Sequence, residues 1–380
     1  MEYQSFCNTE ILFSNMQELE QTLLSLNKSN IVLVMSESSV LRWGMSTVIK
    51  KIKMNCEKLN GRLTWIKEVA ANPTQKDIVK SLKQIGNRKL GIIIACGGGS
   101  AIDLAKGISA FHNNYKNDKC TIDEITDRIK NKKYSDNEFV DIIAVPTTAG
   151  TGSEVTQWAT IWDENKHCKF SIDSPQLKPK KAIIVPALTL TVSPKMTLST
   201  GLDSMCQAIE AYWSKHTTPI VQEIAYRSVE LVIRNLQKSV EEPNDIVSRE
   251  NLCRASILSG LAFSQTRTTA CHSISYPLTI LYNIPHGLAV SITLDKVAKI
   301  NAGHFPNDKQ LFSLFHEYGG IKSWLDTVSK DIVTMRLSTF GIIEDDLSVI
   351  IDNAFTSGRM DNNPVDLTKN DVKRILESII

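Results

Sequence analysis

Between residues 31 and 185, short apolar runs recur: IVLVMS (31–36), RLTWIK (62–67), GIIIAC (91–96), DIIAVP (141–146), KFSI (169–172) and AIIV (182–185). Between them, LRWGMSTVIKKIK and TQKDIVKSLKQIG repeat apolar residues at three and four, which predicts helices. The alternation predicts a parallel sheet covered by helices, closed by KFSI and AIIV. Past Pro186 the pattern becomes helical throughout. Helices are expected at 195–213, 219–239, 245–264, 267–281, 286–301 and 308–317, with more before Ile380. PIVQEIAYRSVELVIRNL has the apolar stripe of a bundle helix. The expected organisation is an α/β domain with a parallel sheet over 1–186 and an all-α domain over 187–380.

Composition narrows the class. The chain has 380 residues, 42% hydrophobic, enough for a substantial core, and a formal net charge of +2. That balance implies no general attraction to nucleic acid or to a membrane surface. MEYQSFCNTEILFSN lacks the basic-then-apolar plan of a secretory signal. No apolar run reaches the roughly 18 residues of a membrane span. The eight cysteines are scattered without a CxxC. Reduced thiols and a cytoplasmic location are therefore expected.

Chemistry concentrates in a few stretches. GIIIAC runs into Gly97-Gly98-Gly99-Ser100, and AIDLAKGISAF follows as a helix. A glycine run there lets backbone approach a phosphate, and a helix start offers free N–H groups. It is not GxGxxG, and a bare tight turn explains it equally well. PTTAGTGSEVTQWATIWD reads as a polar loop entering a strand, and Asn72-Pro73-Thr74 as a helix start capped by Thr74. RTTACHSISYPLTILYNIPH carries His272 and His286, fourteen positions apart. Upstream, GLDSMCQAIEAY sets Asp203 and Gln207 four apart, on one helix face. Two imidazoles, a carboxylate and an amide suit a divalent transition metal better than calcium or magnesium. Two histidines in a long chain are, as a class, more often surface or hydrogen-bonded core residues. Cys206 and Cys271 beside them are thiolate ligands or, more in keeping with free cysteine, small buried fillers.

The surrounding text decides between these readings. CGGGSAIDLAK, PTTAGTGSEVT, GLDSMCQAIEAYWS, LAFSQTRTTACHSISYPL and IPHGLAV, in that order, resemble the iron-containing (group III) alcohol dehydrogenase family. The resemblance runs from about Ile31 to the C-terminal helices. It implies a dehydroquinate synthase-like, two-domain fold, with a nicotinamide-cofactor-binding N-terminal domain and a helical metal-binding and substrate domain. It implies NADPH or NADH, and Fe2+ or Zn2+, as cofactors. The metal ligands it implies are Asp203, Gln207, His272 and His286; the family usually has histidine where Gln207 stands. The cofactor residues it implies are Ser36, Asn72, Gly97, Gly98, Gly99, Ser100, Asp103, Thr147, Thr148, Gly152, Ser153 and Lys169. Relatives often have Asp where Ser36 stands, and losing that carboxylate favours a 2′-phosphate and so NADPH, although Glu37 is adjacent.

The family pattern also departs near the first histidine. Tyr276 stands where many relatives have a second histidine, and is a proton donor or a structural residue. Thr266-Arg267-Thr268-Thr269 replaces a small, glycine-rich segment. Arg267 brings a fork suited to phosphonate, phosphate or carboxylate, or else makes a surface ion pair. Arg267, Tyr276 and His272 are the expected catalytic group. RTTACHSISYPLT looks like the phosphonoacetaldehyde reductase branch, which implies reduction of a small anionic aldehyde to 2-hydroxyethylphosphonate. The expected partners are that aldehyde and a second copy of the chain, with neither nucleic acid nor membrane. The competing readings are a general short-chain alcohol dehydrogenase, a dehydroquinate synthase-like lyase and an inactive binding homologue. RMDNNPVDL (359–367), another Arg-containing polar turn, approaches the cleft or, as its turn chemistry favours, links two helices through Pro364.

Overall fold

The structure, a computed structural model, describes residues 7–115, 120–135, 137–163 and 168–380. These fall into two compact units. One runs through Thr148 and includes Ser153–Thr189; the other comprises Ala149–Gly152 and Leu190–Ile380.

Among the described residues the first unit carries eight strands: β1 (Glu10–Phe13), β2 (Asn30–Val34), β3 (Arg62–Ile66), β4 (Ile92–Gly97), β5 (Ile142–Pro146), β6 (Trp158–Asp163), β7 (Cys168–Asp173) and β8 (Lys181–Ile184). Six form a parallel sheet in the order β1-β8-β5-β4-β2-β3. Its helices are α1 (Met16–Leu24), α2 (Glu37–Arg42), α3 (Ser46–Lys58), α4 (Gln75–Ile85), α5 (Gly99–Phe111) and α6 (Ile122–Lys130). Successive strand residues point to opposite faces. Ile93 and Ala95 therefore enter one core with Ile102 and Phe111, while Ile92 and Ile94 enter another with Ile49 and Ile52. Burial on both faces is why the strands read as unbroken apolar runs.

In this unit two expectations need correction, and one strand was missed. KFSI does not close the parallel sheet: β7 pairs antiparallel with β6 in a separate two-stranded sheet. LRWGMSTVIKKIK is not one helix, because Gly44 turns the chain at φ +66° between α2 and α3. An edge strand, β1, went unseen; it is four residues long and largely exposed, so it carries no apolar signature.

The second unit contains α7 (Pro194–Trp213), α8 (Pro219–Glu241), α9 (Ile246–Thr266), α10 (Ala270–Tyr282), α11 (His286–Ser291), α12 (Leu294–Asn301), α13 (Asp308–Ser313), α14 (Ile321–Val328), α15 (Leu347–Asn353) and α16 (Lys369–Glu377). Ser193 and Thr218 cap α7 and α8 by accepting from Met196 N and Val221 N, with Pro at the first helical position of each. The expected helix 286–301 is two, α11 and α12. Nearly every residue of α7 from Thr197 to Trp213 is buried. Its polar residues therefore project into the interior. No helix among the described residues is long and apolar enough to cross a membrane.

Candidate active site

Asp203, Gln207 and Glu210 lie at i, i+4 and i+7 along α7, and all three are buried. His272 stands in the first turn of α10, and His286 opens α11. Gly287 fixes the approach of α11 to α7: a Cβ there would lie 1.7 Å from the carbonyl oxygen of Ser199 and 3.1 Å from Asp203 Cβ. Only glycine permits that approach, and it brings His286 to Asp203.

One ligand atom from each of Asp203, His272 and His286 lies within 4.8 Å of the other two. His272 Nε2 is 3.4 Å, and His286 Nε2 3.9 Å, from Asp203 Oδ1. Asp203 Oδ1 and His272 Nε2 are buried without a hydrogen-bond partner among the described residues. A buried polar atom left so costs about 1–3 kcal/mol, so the arrangement asks for a group between them. Burial favours neutral His272, but Glu210 and Asp203 outweigh it and push its pKa to about 10. Two carboxylates around one imidazole leave an excess of negative charge. The donor types, the convergence and the charge all fit a divalent transition metal.

Glu210 escaped the reading of the sequence. It is fully buried, accepts from Thr269 Oγ1 at 2.9 Å and from His272 N at 3.2 Å, and pairs closely with His272 Nδ1. Burial opposes its charge, but His272 and Thr269 hold its pKa below the usual range. A proton on Nδ1 facing Glu210 leaves Nε2 as the ligating atom. The available signal was its i+7 spacing from Asp203. Thr269 also accepts from Trp213 Nε1 at 2.8 Å, so its hydroxyl serves Glu210 rather than substrate.

Gln207 Oε1 accepts from Ser259 Oγ at 3.0 Å. An amide oxygen has a second lone pair, so one acceptor position remains. Cys206 and Cys271 are fully buried, and burial first, then Glu210, pushes both thiols well above their usual pKa. They are neutral fillers.

Beside the three-residue cluster, the Tyr276 ring stacks on His286, centroids 6.3 Å apart and planes at 14°. Tyr276 Oη accepts from Arg359 Nε at 3.3 Å. The turn beginning at Arg359 thus meets the site, the less favoured of the two readings of that stretch. Arg267 ends α9 at φ 62°, ψ −179°. That backbone region is essentially glycine's, and other residues hold it at about 1–3 kcal/mol. The same conformation delays the start of α10 to Ala270, three residues after the expected start.

In the sheet unit, the order of strands reverses between β2 and β4, the place where open α/β sheets bind ligands beyond their strand ends. β4 ends at Gly97, Gly98 caps α5 without a side chain, and Gly99 and Ser100 form the first turn. A Cβ on Gly98 would lie 3.1 Å from Thr148 Oγ1, and Thr147 N donates to Gly97 O at 3.0 Å. Asn72 N donates to Ser100 Oγ at 3.1 Å, and Thr74 caps α4 with Asp77 in a reciprocal box. Ser36, at the end of β2, caps α2. Asp103 accepts from Ser153 Oγ at 3.2 Å and from Thr160 N at 3.0 Å, with Lys169 contributing a favourable charge. Gly152 belongs to the other unit, at φ +61° and in close approach to Gly260.

Comparison with known proteins agrees along the whole chain. A family model described as iron-containing alcohol dehydrogenase matches residues 8–186, and one described as Fe-containing alcohol dehydrogenase family, C-terminal, matches 197–380. Alcohol dehydrogenase 4 of Schizosaccharomyces pombe is 28% identical over 91% of this chain and 81% of its own. A 1,3-propanediol dehydrogenase of Citrobacter freundii is 30% identical over 78% of each. A crystal structure of sulfoacetaldehyde reductase from Bifidobacterium kashiwanohense in complex with NAD+ has a TM-score of 0.84 and 28% identity, covering 100% of this chain and 99% of that one.

Proposed function

Because the chain belongs to the iron-containing alcohol dehydrogenase family, we propose that it is a metal-dependent NAD(P)H-linked reductase of a small anionic aldehyde. The substrate we infer is phosphonoacetaldehyde, and the product 2-hydroxyethylphosphonate. The observation that carries the anionic choice is Arg267, a permanent cation held in a backbone conformation that favours glycine. A similar protein that reduces sulfoacetaldehyde, another small anionic aldehyde, supports it.

In this reading Asp203, His272 and His286 hold ferrous iron or zinc, and Gln207 is the fourth group of the site. The bound ion supplies Lewis-acid polarisation of a carbonyl oxygen, and reduced nicotinamide supplies the hydride. Glu210 keeps the His272 proton on Nδ1. Arg359 donates to Tyr276 Oη, so Tyr276 keeps its own proton to donate. Gly97–Ser100 with Thr147 and Thr148 receives the cofactor diphosphate, and Asn72, Asp103, Gly152, Ser153 and Lys169 shape the surrounding loops. Ser36 leaves room for a 2′-phosphate, and Glu37 is turned to Lys67 at 3.2 Å. Both features favour NADPH.

The test is steady-state oxidation of NADPH and NADH with phosphonoacetaldehyde, sulfoacetaldehyde and butyraldehyde, with iron or zinc added. The expected result is at least ~10-fold higher kcat/KM for an anionic aldehyde, about 1.4 kcal/mol of discrimination. Arg267→Ala should erase most of that preference. Equal efficiency on butyraldehyde overturns the anionic reading and leaves a general alcohol dehydrogenase. A strong preference for NADH overturns the cofactor assignment.

A further inference from the structure

We propose that Arg267 and Arg359 act as one two-guanidinium receptor for a doubly charged group, which makes Arg359 the residue that selects a phosphonate dianion over a singly charged sulfonate. The inference rests on the anionic-aldehyde reading above and extends it to a second residue and to the charge of the substrate.

Two arginines 92 positions apart in sequence meet at one glycine. A Cβ on Gly358 would lie 3.1 Å from Arg267 Nη1, so the Arg267 guanidinium rests against the backbone there. Arg359 Nη1 donates to Gly358 O at 2.7 Å. Gly358 sits at φ +71°, which both removes the side chain and turns the chain so that the next residue faces the site. Buried Asn362 fastens this turn, donating to Gly358 O at 2.9 Å and to Thr268 O at 3.2 Å. The two cations are therefore carried on backbone segments tied directly to each other. Among the described residues, Arg359 makes no ion pair with a carboxylate; its side-chain contacts are Tyr276 Oη and Gly358 O.

A dianion is attracted by each guanidinium about twice as strongly as a monoanion at the same distance. The position also fits the chemistry: one phenol ring, that of Tyr276, separates Arg359 from His286. A two-carbon aldehyde with a terminal phosphonate can reach from one to the other. Guanidinium groups suit this role because each offers paired donors to a tetrahedral oxyanion.

The test uses metal-loaded full-length enzyme with its preferred nicotinamide, and the variants Arg359→Gln, Arg359→Lys, Arg267→Ala, the Arg267→Ala/Arg359→Gln double variant and Tyr276→Phe. Phosphonoacetaldehyde, sulfoacetaldehyde and butyraldehyde are the substrates. In Arg359→Gln, the phosphonate-to-butyraldehyde ratio of kcat/KM should fall by ~30-fold, chiefly through KM, in the range of a lost charge-assisted hydrogen bond. The sulfonate-to-butyraldehyde ratio should fall several-fold less. Arg359→Lys should recover part of the loss. The double variant should lose less than the product of the single losses, the mark of groups that act on one ligand. If Arg359→Gln lowers all three substrates equally and Tyr276→Phe does the same, Arg359 only orients Tyr276 and the inference falls. If the wild type prefers anions and Arg267→Ala alone removes that preference, the inference falls while the proposed function stands. If the wild type shows no preference for anions, both fall.

Discussion

Each unit buries charge in its interior, and the two do so in opposite ways. In the sheet unit, fully buried Lys106 donates to Trp158 O at 2.7 Å and to Thr156 Oγ1 at 3.4 Å. One turn away, Asp103 accepts from Thr160 N and Ser153 Oγ. Burial raises the Asp103 pKa and lowers that of Lys106 to about 8, and each charge moderates the other's shift. Every charged atom there has a protein partner. In the helical unit, Asp203 Oδ1 and His272 Nε2 converge without one, while Glu210 next to them is fully satisfied. The first cluster is a clasp tying α5 to β6 and its preceding loop; the second is a receptacle with its back wall complete. The difference teaches that a buried charge becomes informative about ligands only after its hydrogen bonds are traced.

The largest expected effect is loss of metal. Asp203→Ala should carry no tightly bound iron or zinc after gentle purification, against about one ion per chain in the wild type by metal analysis. Metal retained at that level would place the ion elsewhere. Next, Lys106→Met should destabilise by about 3–5 kcal/mol in urea unfolding, because Asp103 then stays buried without its cation. Its metal content should not change; a fall would merge the two clusters into one. The same residue gives a pH prediction. Lys106 titrates at about 8 when folded against the usual 10.5. Between those values the unfolded chain binds a proton that the folded chain does not, so this group makes stability rise with pH there. Comparison of wild type with Lys106→Met across that window should show the rise in the wild type only.

A smaller effect is expected at the back wall. Glu210→Gln should weaken metal affinity by about 10–100-fold, measured by competition with a chelator, as for other partners of ligating histidines. Undiminished affinity would reduce Glu210 to a core residue. The smallest change is expected for Gln207→Ala, within about 3-fold in metal affinity, since a neutral amide already engaged by Ser259 is a weak donor to a transition metal. A large loss there would make Gln207 a full ligand.

Much of this was legible along the chain because the physics is local or periodic. GIIIAC had to be a buried strand, and the glycines after it had to turn tightly into α5. Asp203 and Gln207 share a face because any helix puts residues four apart together. KFSI was misassigned because a short strand carries no mark of which sheet it joins. For Arg359 a link was favoured over an approach to the cleft because its partner Tyr276 lies 83 positions away. The role of Thr269 was not legible because nothing in its neighbours shows that its hydroxyl points to Glu210, 59 positions back.

The sequence by itself determined most of the elements, the family and the residue types available for binding, since periodicity, turn chemistry and motif order are written in consecutive positions. Tertiary packing alone decided which polar atoms were satisfied and which were left facing one another. Gly287 sets α11 against α7, Gly358 admits the Arg267 guanidinium, and Glu210 takes up the far side of His272. Each is a contact between segments far apart in the chain, and a hydrogen bond is short and directional enough that only folded coordinates can say who makes it.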